Sequence, residues 1–270
     1  MWIYFLACFL ICLVCTAIGF KNYIWFMSIG YGIAVAGAAV GIEIVGICQG
    51  VNPSLPFYIL DKLLLLQLFV YGVRLSTFLS IRESESRSYR SALKANAQSH
   101  VSVAAKFGIW CAVSILYVLQ VSPVMFRIAN RVETTAGMFF GIVGFVISFV
   151  GFMVEATADN QKSAAKKKNP HDFVSSGLFK FVRCPNYLGE IVFWTGIFIS
   201  GWGALNNWWQ WVCALLGYAM IVGVMVSGAQ RLEKRQNKNY GDRIEYQQYA
   251  QNTPMLIPLL KTRHSSVHTK

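Results

Sequence analysis

Ionisable side chains inside long apolar runs are where this sequence first points to chemistry. A charge at the centre of a membrane span costs on the order of 3 kcal/mol on insertion scales, so each one needs a reason. Four places qualify. Glu43 stands alone in Val40-Gly-Ile-Glu-Ile-Val-Gly-Ile47, with no charge nearby in sequence. It admits two roles, a buried acid inside a helical bundle or a helix-end glutamate reaching the interface. Tyr71 and Arg74 follow in Phe69-Val-Tyr-Gly-Val-Arg-Leu-Ser-Thr-Phe78, spaced i, i+3 on one helical face. Arg74 either snorkels towards the basic end of its span or lines a polar cavity, and the cavity is favoured. Glu155, Asp159 and Lys162 share a face at i, i+4 and i+7. Acids beside such a basic segment run against the local charge. They fit recognition of hydroxyls, amides or a cationic ring; the alternative is a solvated helix end. The densest stretch is Phe181-Val-Arg-Cys-Pro-Asn-Tyr-Leu-Gly-Glu190. There Pro185 can start a helix, Arg183 can grip phosphate through a bidentate fork, Asn186 can donate and accept, and Glu190 places a charge in the first turn.

The elements that must carry these groups are membrane helices. Of the 270 residues 55% are hydrophobic and only 13% charged, about half the charge usual for soluble domains. About seven runs approach the ~20 apolar residues a span needs: roughly 2–20, 23–48, 57–81, 101–121, 134–153, 188–201 and 207–227. The sixth is short, and the Gly201-Trp202-Gly203 break after it predicts a tight connection to the seventh. The first run lacks a preceding basic stretch and a cleavage site, so it is expected to be a retained span. The chain divides into N-terminal spans (1–56), a catalytic membrane segment (57–260) and a polar tail (261–270).

Charge orients the spans. Arg82, Arg87, Arg90, Lys94 and Lys106 lie in one connection, Lys162, Lys166, Lys167, Lys168, Lys180 and Arg183 in another, and Arg231, Lys234, Arg235, Lys238 and Arg243 after the last span. The segments near 50–56 and 202–206 carry no Lys or Arg, and the loop near 122–133 carries Arg127 and Arg131. Seven spans put every strongly basic segment on one side, with the C-terminus cytosolic. The net charge of +12 is thereby explained without nucleic acid. Lys166, Lys167 and Lys168 are placed to hold anionic lipid head groups.

Other patterns point to packing. Cys8, Cys12 and Cys15 share one face of an apolar run, as small packing residues do. Gly37-x-x-x-Gly41 is a close-approach pattern between membrane helices. No strand precedes any glycine cluster, so a dinucleotide fingerprint of the Rossmann type is excluded. The histidines show no metal spacing, and no metal site is expected. A transporter built from repeats is disfavoured, because the two halves show no internal repeat.

The stretch Gly177-Leu-Phe-Lys-Phe-Val-Arg-Cys-Pro-Asn-Tyr-Leu-Gly-Glu-Ile-Val-Phe-Trp194 closely resembles the C-terminal domain of membrane steroid 5-alpha-reductases and of related DUF1295-type membrane proteins. The upstream Glu155-x-x-x-Asp-x-Gln-Lys162, Arg231-Leu-Glu-Lys-Arg235, Tyr246-Gln-Gln-Tyr249 and Thr253 to Pro258 resemble the same group. The resemblance implies an all-α fold of about seven transmembrane helices and reduction, with NADPH, of a carbon–carbon double bond conjugated to a ketone. It implies that Arg74, Glu155, Asp159, Lys162, Arg183, Asn186, Tyr187, Glu190, Arg231 and Arg235 bind the cofactor. Tyr71 would polarise the carbonyl of a lipophilic substrate entering from the bilayer, backed by Glu43. The sequence departs from the family at Glu155, where asparagine is common, and at Phe78, where some members have tyrosine.

A methyltransferase using S-adenosylmethionine, similar to the isoprenylcysteine carboxyl methyltransferases, is the runner-up. Those enzymes share an Arg-x-Pro-x-Tyr-x-Gly signature, usually with histidine where Cys184 stands. A lipid-binding scaffold without catalysis is the third alternative. The compartment implied is the endoplasmic reticulum in a eukaryote or the inner membrane in a bacterium.

Overall fold

The computed structural model describes residues 1–85 and 102–258. Arg87, Arg90 and Lys94 of the first basic connection, and the polar tail 261–270, lie outside the described residues. Within them every regular element is helical: α1 (Trp2–Thr16), α2 (Ile29–Cys48), α3 (Leu55–Glu85), α4 (Val103–Ala129), α5 (Thr135–Lys168), α6 (Pro185–Ser200), α7 (Trp208–Tyr240) and α8 (Ile244–Asn252), with short 3-10 turns between some of them. Backbone groups cannot be hydrated in lipid, which is why apolar runs of this length close their hydrogen bonds within helices.

Among the described residues six helices are long and apolar enough to cross a membrane: the stretch beginning with α1, then α2, α3, α4, α5 and α7. The short run expected at 188–201 is the 16-residue α6. At 1.5 Å per residue it reaches about 24 Å, short of a ~30 Å hydrocarbon core. Pro185 fixes its start, and the turn through Gly203, at φ +73°, follows its end. By contrast α5 has 34 residues and α7 has 33, about 50 Å each, so both run well past a bilayer's apolar thickness. The acidic face at 155–162 therefore lies on the same continuous helix as the span before it.

The chain forms two compact units, both discontinuous in sequence. One comprises Met1–Val146 with Ile197–Ala219; the other comprises Ile147–Gly196 with the chain from Met220 onward.

In the first unit, small residues set the helix contacts. A Cβ on Gly37 would meet Cys15 and Ile11 of α1, and one on Gly41 would meet Ile11. Cys8 and Cys12 are fully buried with their Sγ atoms 3.9 Å from the carbonyl oxygens of Ala38 and Ala34. The cysteine face is thus the α1 side of a close seam with α2. On the other side of α2, Gly32 and Gly72 meet backbone to backbone, and Ser76 Oγ donates to Ile29 O at 2.9 Å.

Arg127, expected in a loop, is instead fully buried near the end of α4. Pro123 does not end that helix, because proline is tolerated in membrane helices where neighbours reorganise around the freed carbonyl. Arg127 Nε donates to Asp61 of α3, and a terminal nitrogen donates to Gly137 O of α5. One guanidinium therefore ties three helices together.

Candidate functional site

In the second unit, α5 and α6 approach so closely that only glycine fits at the contact. A Cβ on Gly189 would meet the backbone and Cβ of Glu155, and one on Gly151 would meet the backbone of Phe193 and Gly189. From α7, Gly228 admits the Tyr187 ring, whose nearest atom would lie 3.2 Å from an added Cβ. These contacts gather polar groups that a membrane protein would otherwise keep apart. Glu155, Asp159, Arg183 and Glu190 are all buried, each no more than 8% exposed. Glu155 and Asp159 are therefore not a solvated helix end. Asn186 and Tyr187 are partly buried on the first turn of α6, and Lys162 is partly buried two turns beyond Glu155.

Arg183 pairs with Glu233 of α7 at 2.7 Å. Among the described residues its buried Nε–H has no acceptor, and the buried Oδ1 of Asn186 has no donor. Buried polar groups are almost always satisfied, so an unmet donor and an unmet acceptor three residues apart mark a place for a ligand. Such a ligand would offer anionic or carbonyl oxygens to Arg183 and a hydroxyl or amide to Asn186. NADPH carries both kinds of group, and the residues present fit it.

The segments that resembled the reductases outside this cluster act as its frame. Gln161 Oε1 accepts from Leu178 N at 2.8 Å, and its amide lies against Gly177, at φ +64°. Tyr249 donates to Phe179 O at 2.8 Å, and Tyr246 donates to Asn237 at 2.8 Å. The backbone N–H groups of Arg183 and Cys184 donate to Pro254 O and Met255 O at 2.9 and 3.0 Å. The 253–256 stretch thus holds the turn that presents Arg183. Burial pushes the Cys184 thiol up to about 11, so it is a neutral packing group there and no nucleophile. It packs with Ala229, Leu232 and Leu256.

Arg231 and Arg235 do not join the cluster. Both are exposed on α7, while Leu232 and Glu233 turn inward. Lys166 is also placed otherwise than expected: it bonds the carbonyls of Pro170 and Asp172 and the hydroxyl of Tyr240, and so ties the loop after α5 and Tyr240 of α7 to the end of α5. A cleft of ≈ 390 Å³ opens beside it, lined by Gln161, Lys168, Asp172 and Phe173.

Asp172 is held to Arg243, at the start of α8, by a 2.8 Å hydrogen bond. That bond holds its carboxyl below the usual carboxylate range. A carboxyl whose folded value is depressed stabilises the fold fully above its ordinary value, near pH 4, and loses that contribution as the pH falls through the lowered value. Both partners are well exposed, so the energy is small. The expected result is an Asp172 titration midpoint below the ordinary one, returning to it in Arg243→Gln. Carboxyl-carbon NMR of the two proteins checks this.

In the first unit, Tyr71 is fully buried on α3. Arg74 is partly buried, with its guanidinium 5.6 Å from the Phe78 ring, and Arg82 lies 5.5 Å from the same ring. Phe78 thus serves as a platform for two cations, a task its tyrosine counterpart would also perform.

Glu43 is not placed to back Tyr71. Its carboxylate pairs with Lys62 of α3, and both side chains are about one-third exposed. Lys62 precedes Tyr71 by nine positions, about 13.5 Å along a helix. The expectation failed because the partner, nineteen residues away in sequence, comes from the neighbouring antiparallel helix. Sequence reasoning also missed the Asp61–Arg127 pair. Its one signal was an aspartate inside an apolar helix with no neighbour of suitable charge except Lys62.

Among known proteins, a family model described as "Protein of unknown function (DUF1295)" matches residues 55–253. Steroid 5-alpha-reductase DET2 of Arabidopsis thaliana is 33% identical over 63 residues, 23% of this chain and 24% of its own length. Steroid 5-alpha-reductase DET2 of Gossypium hirsutum is 36% identical over 73 residues, 26% of each chain. The chain therefore aligns with about a quarter of the length of these relatives. No solved structure matches.

Proposed function

The chain belongs to the DUF1295 family, and on that premise we propose that it is an integral-membrane reductase that uses NADPH to saturate a carbon–carbon double bond in a lipid or sterol-like enone. The observation that supports this most directly is the buried cluster of the second unit, where an unmet Arg183 N–H and an unmet Asn186 oxygen stand among buried carboxylates. The partial similarity to steroid 5-alpha-reductases supports the same chemistry.

NADPH, when bound, supplies the hydride. Arg183 and Lys162 offer cationic donors to its phosphates. Glu155, Asp159 and Glu190 offer acceptors to its ribose hydroxyls and carboxamide, and Asn186 and Tyr187 offer one group of either kind. Arg74, held over Phe78 in the first unit, is assigned to the cofactor by the family resemblance alone. Arg231 and Arg235 are left to the membrane surface, where exposed cations attract anionic lipids.

Tyr71 carries the acid's role towards the substrate. Its hydroxyl donates to the carbonyl oxygen and stabilises charge as it develops there, and the residue is fully buried. Glu43, held by Lys62, takes no part. The substrate is lipophilic and enters from the bilayer, and the basic segments and C-terminus face the cytosol.

Tyr71→Phe keeps the ring and removes the acid. Turnover of an enone is expected to fall about 10²–10⁴-fold, while stabilisation by NADPH is unchanged. Steady-state reduction of the enone by the purified variant measures this, and undiminished turnover would remove Tyr71 from the mechanism.

A further inference from the structure

Two buried glutamines in the first unit lack the partners their surroundings require. Gln67 of α3 is 8% exposed and Gln120 of α4 is 2% exposed. Among the described residues neither the nitrogen nor the oxygen of either amide has a hydrogen-bond partner. An amide buried in an apolar setting without partners costs several kcal/mol in hydrocarbon-like surroundings. Two such groups at unrelated places would be two separate defects.

Their helices place them at one level instead. Leu60 and Arg127 both reach the same spot on α5, since a Cβ on Gly141 would meet the side chains of both. Gln67 lies seven positions after Leu60, and Gln120 lies seven positions before Arg127. Seven residues are close to two full turns, so each glutamine repeats the direction of its reference residue. The Arg127–Asp61 bond ties the two helices, and α3 and α4 run in opposite directions. A step forward on α3 and a step back on α4 therefore go the same way, about 10.5 Å deeper into the unit. By this periodicity the two amides lie at one level of the unit, on the faces of α3 and α4 that carry Leu60 and Arg127. Tyr71 stands one turn further on the Gln67 face of α3.

We infer that Gln67 and Gln120 are the specificity-determining pair that holds the oxygenated head of an otherwise apolar substrate. This rests on the reductase proposed above and names its substrate class more closely. Each amide offers a donor and an acceptor, so the pair selects a compact carbonyl- or hydroxyl-bearing end and discriminates against the corresponding hydrocarbon. A site built to hydrogen-bond a substrate oxygen rejects the analogue that lacks it, because its own groups are then left unmet.

The test uses Gln67→Leu, Gln120→Leu and the double variant, purified at full length in detergent. Cholest-4-en-3-one and cholest-4-ene serve as probes, with and without NADPH. Without ligand the leucine variants are expected to melt at or above the wild-type temperature, since an unmet amide gives way to an apolar group. The wild type is expected to bind the ketone at least tenfold more tightly than the hydrocarbon. Each variant should narrow that discrimination, the double variant furthest, with Tyr71 still holding the ketone oxygen, and each should keep its stabilisation by NADPH. Variants that melt several degrees lower, or that bind the ketone as the wild type does, would overturn the inference. So would a wild type that binds neither probe or both alike. Loss of the NADPH response in the wild type would instead count against the reductase reading, so the two failures are told apart.

Discussion

Asp61→Ala is expected to destabilise the protein by about 3–5 kcal/mol, because it strands a buried guanidinium. Arg127 is fully buried and Asp61 is 5% exposed, so no solvent replaces the lost carboxylate. The effect should propagate, since Arg127 also bonds Gly137 O and so fixes the start of α5 against α3 and α4. Removing both charges is a different matter. Replacing a buried pair by well-packed apolar groups is often neutral or stabilising, so Asp61→Leu/Arg127→Met is expected to recover most of the loss. Thermal unfolding in detergent of the wild type, the single variant and the double variant measures the coupling. A single variant as stable as the wild type would show that the pair is not desolvated.

The second large effect is expected at Arg183. Arg183→Met removes the cation that pairs with Glu233 and the unmet donor assigned to the cofactor. Two losses should follow. Stability falls by about 1–3 kcal/mol, because Glu233, 20% exposed, keeps a charge without its partner. Affinity for NADPH falls at least a hundredfold, the consequence of losing a charge-assisted contact and of disturbing the turn that carries it. Adding Glu233→Met separates them. The double variant should regain most of the stability and none of the NADPH affinity. If it regains both, Arg183 serves only the frame. Arg183→Lys would keep the charge and lose the planar fork, and should bind NADPH with intermediate strength.

Much of this arrangement was legible from the sequence, for identifiable reasons. The apolar runs gave the helices because lipid leaves a chain few other ways to close its hydrogen bonds. The i, i+4, i+7 spacing of Glu155, Asp159 and Lys162 gave a shared face because helical periodicity is local. The glycines of α2 gave close contacts because nothing else lets backbones touch.

What was not legible depended on partners far away in sequence. Asp61 and Arg127 are 66 residues apart. Glu43 was given to Tyr71 when Lys62, one helix over, already held it. Arg127 was put in a loop because Pro123 and the charge together look like the end of a run. Gln67 and Gln120 drew no notice because an uncharged amide leaves little mark on a hydropathy pattern. The sixth run was read as short, and the 16-residue α6 is short; what its apolar letters did not state was that Pro185 begins it three residues earlier. Tyr246, Tyr249 and Thr253 were visible as a motif, but their task of bracing the turn at 177–184 follows only from which carbonyl each segment reaches.

The central claim is that this chain binds NADPH, and one measurement addresses it most directly. The purified protein is melted alone and with NADPH, NADH or S-adenosylmethionine. A ligand that binds only the folded state stabilises it by about 2.7 kcal/mol at a hundred times its dissociation constant. The expected result is a rise in melting temperature with NADPH that Arg183→Met/Glu233→Met abolishes. A rise with S-adenosylmethionine alone, or no rise with any of the three, would contradict it.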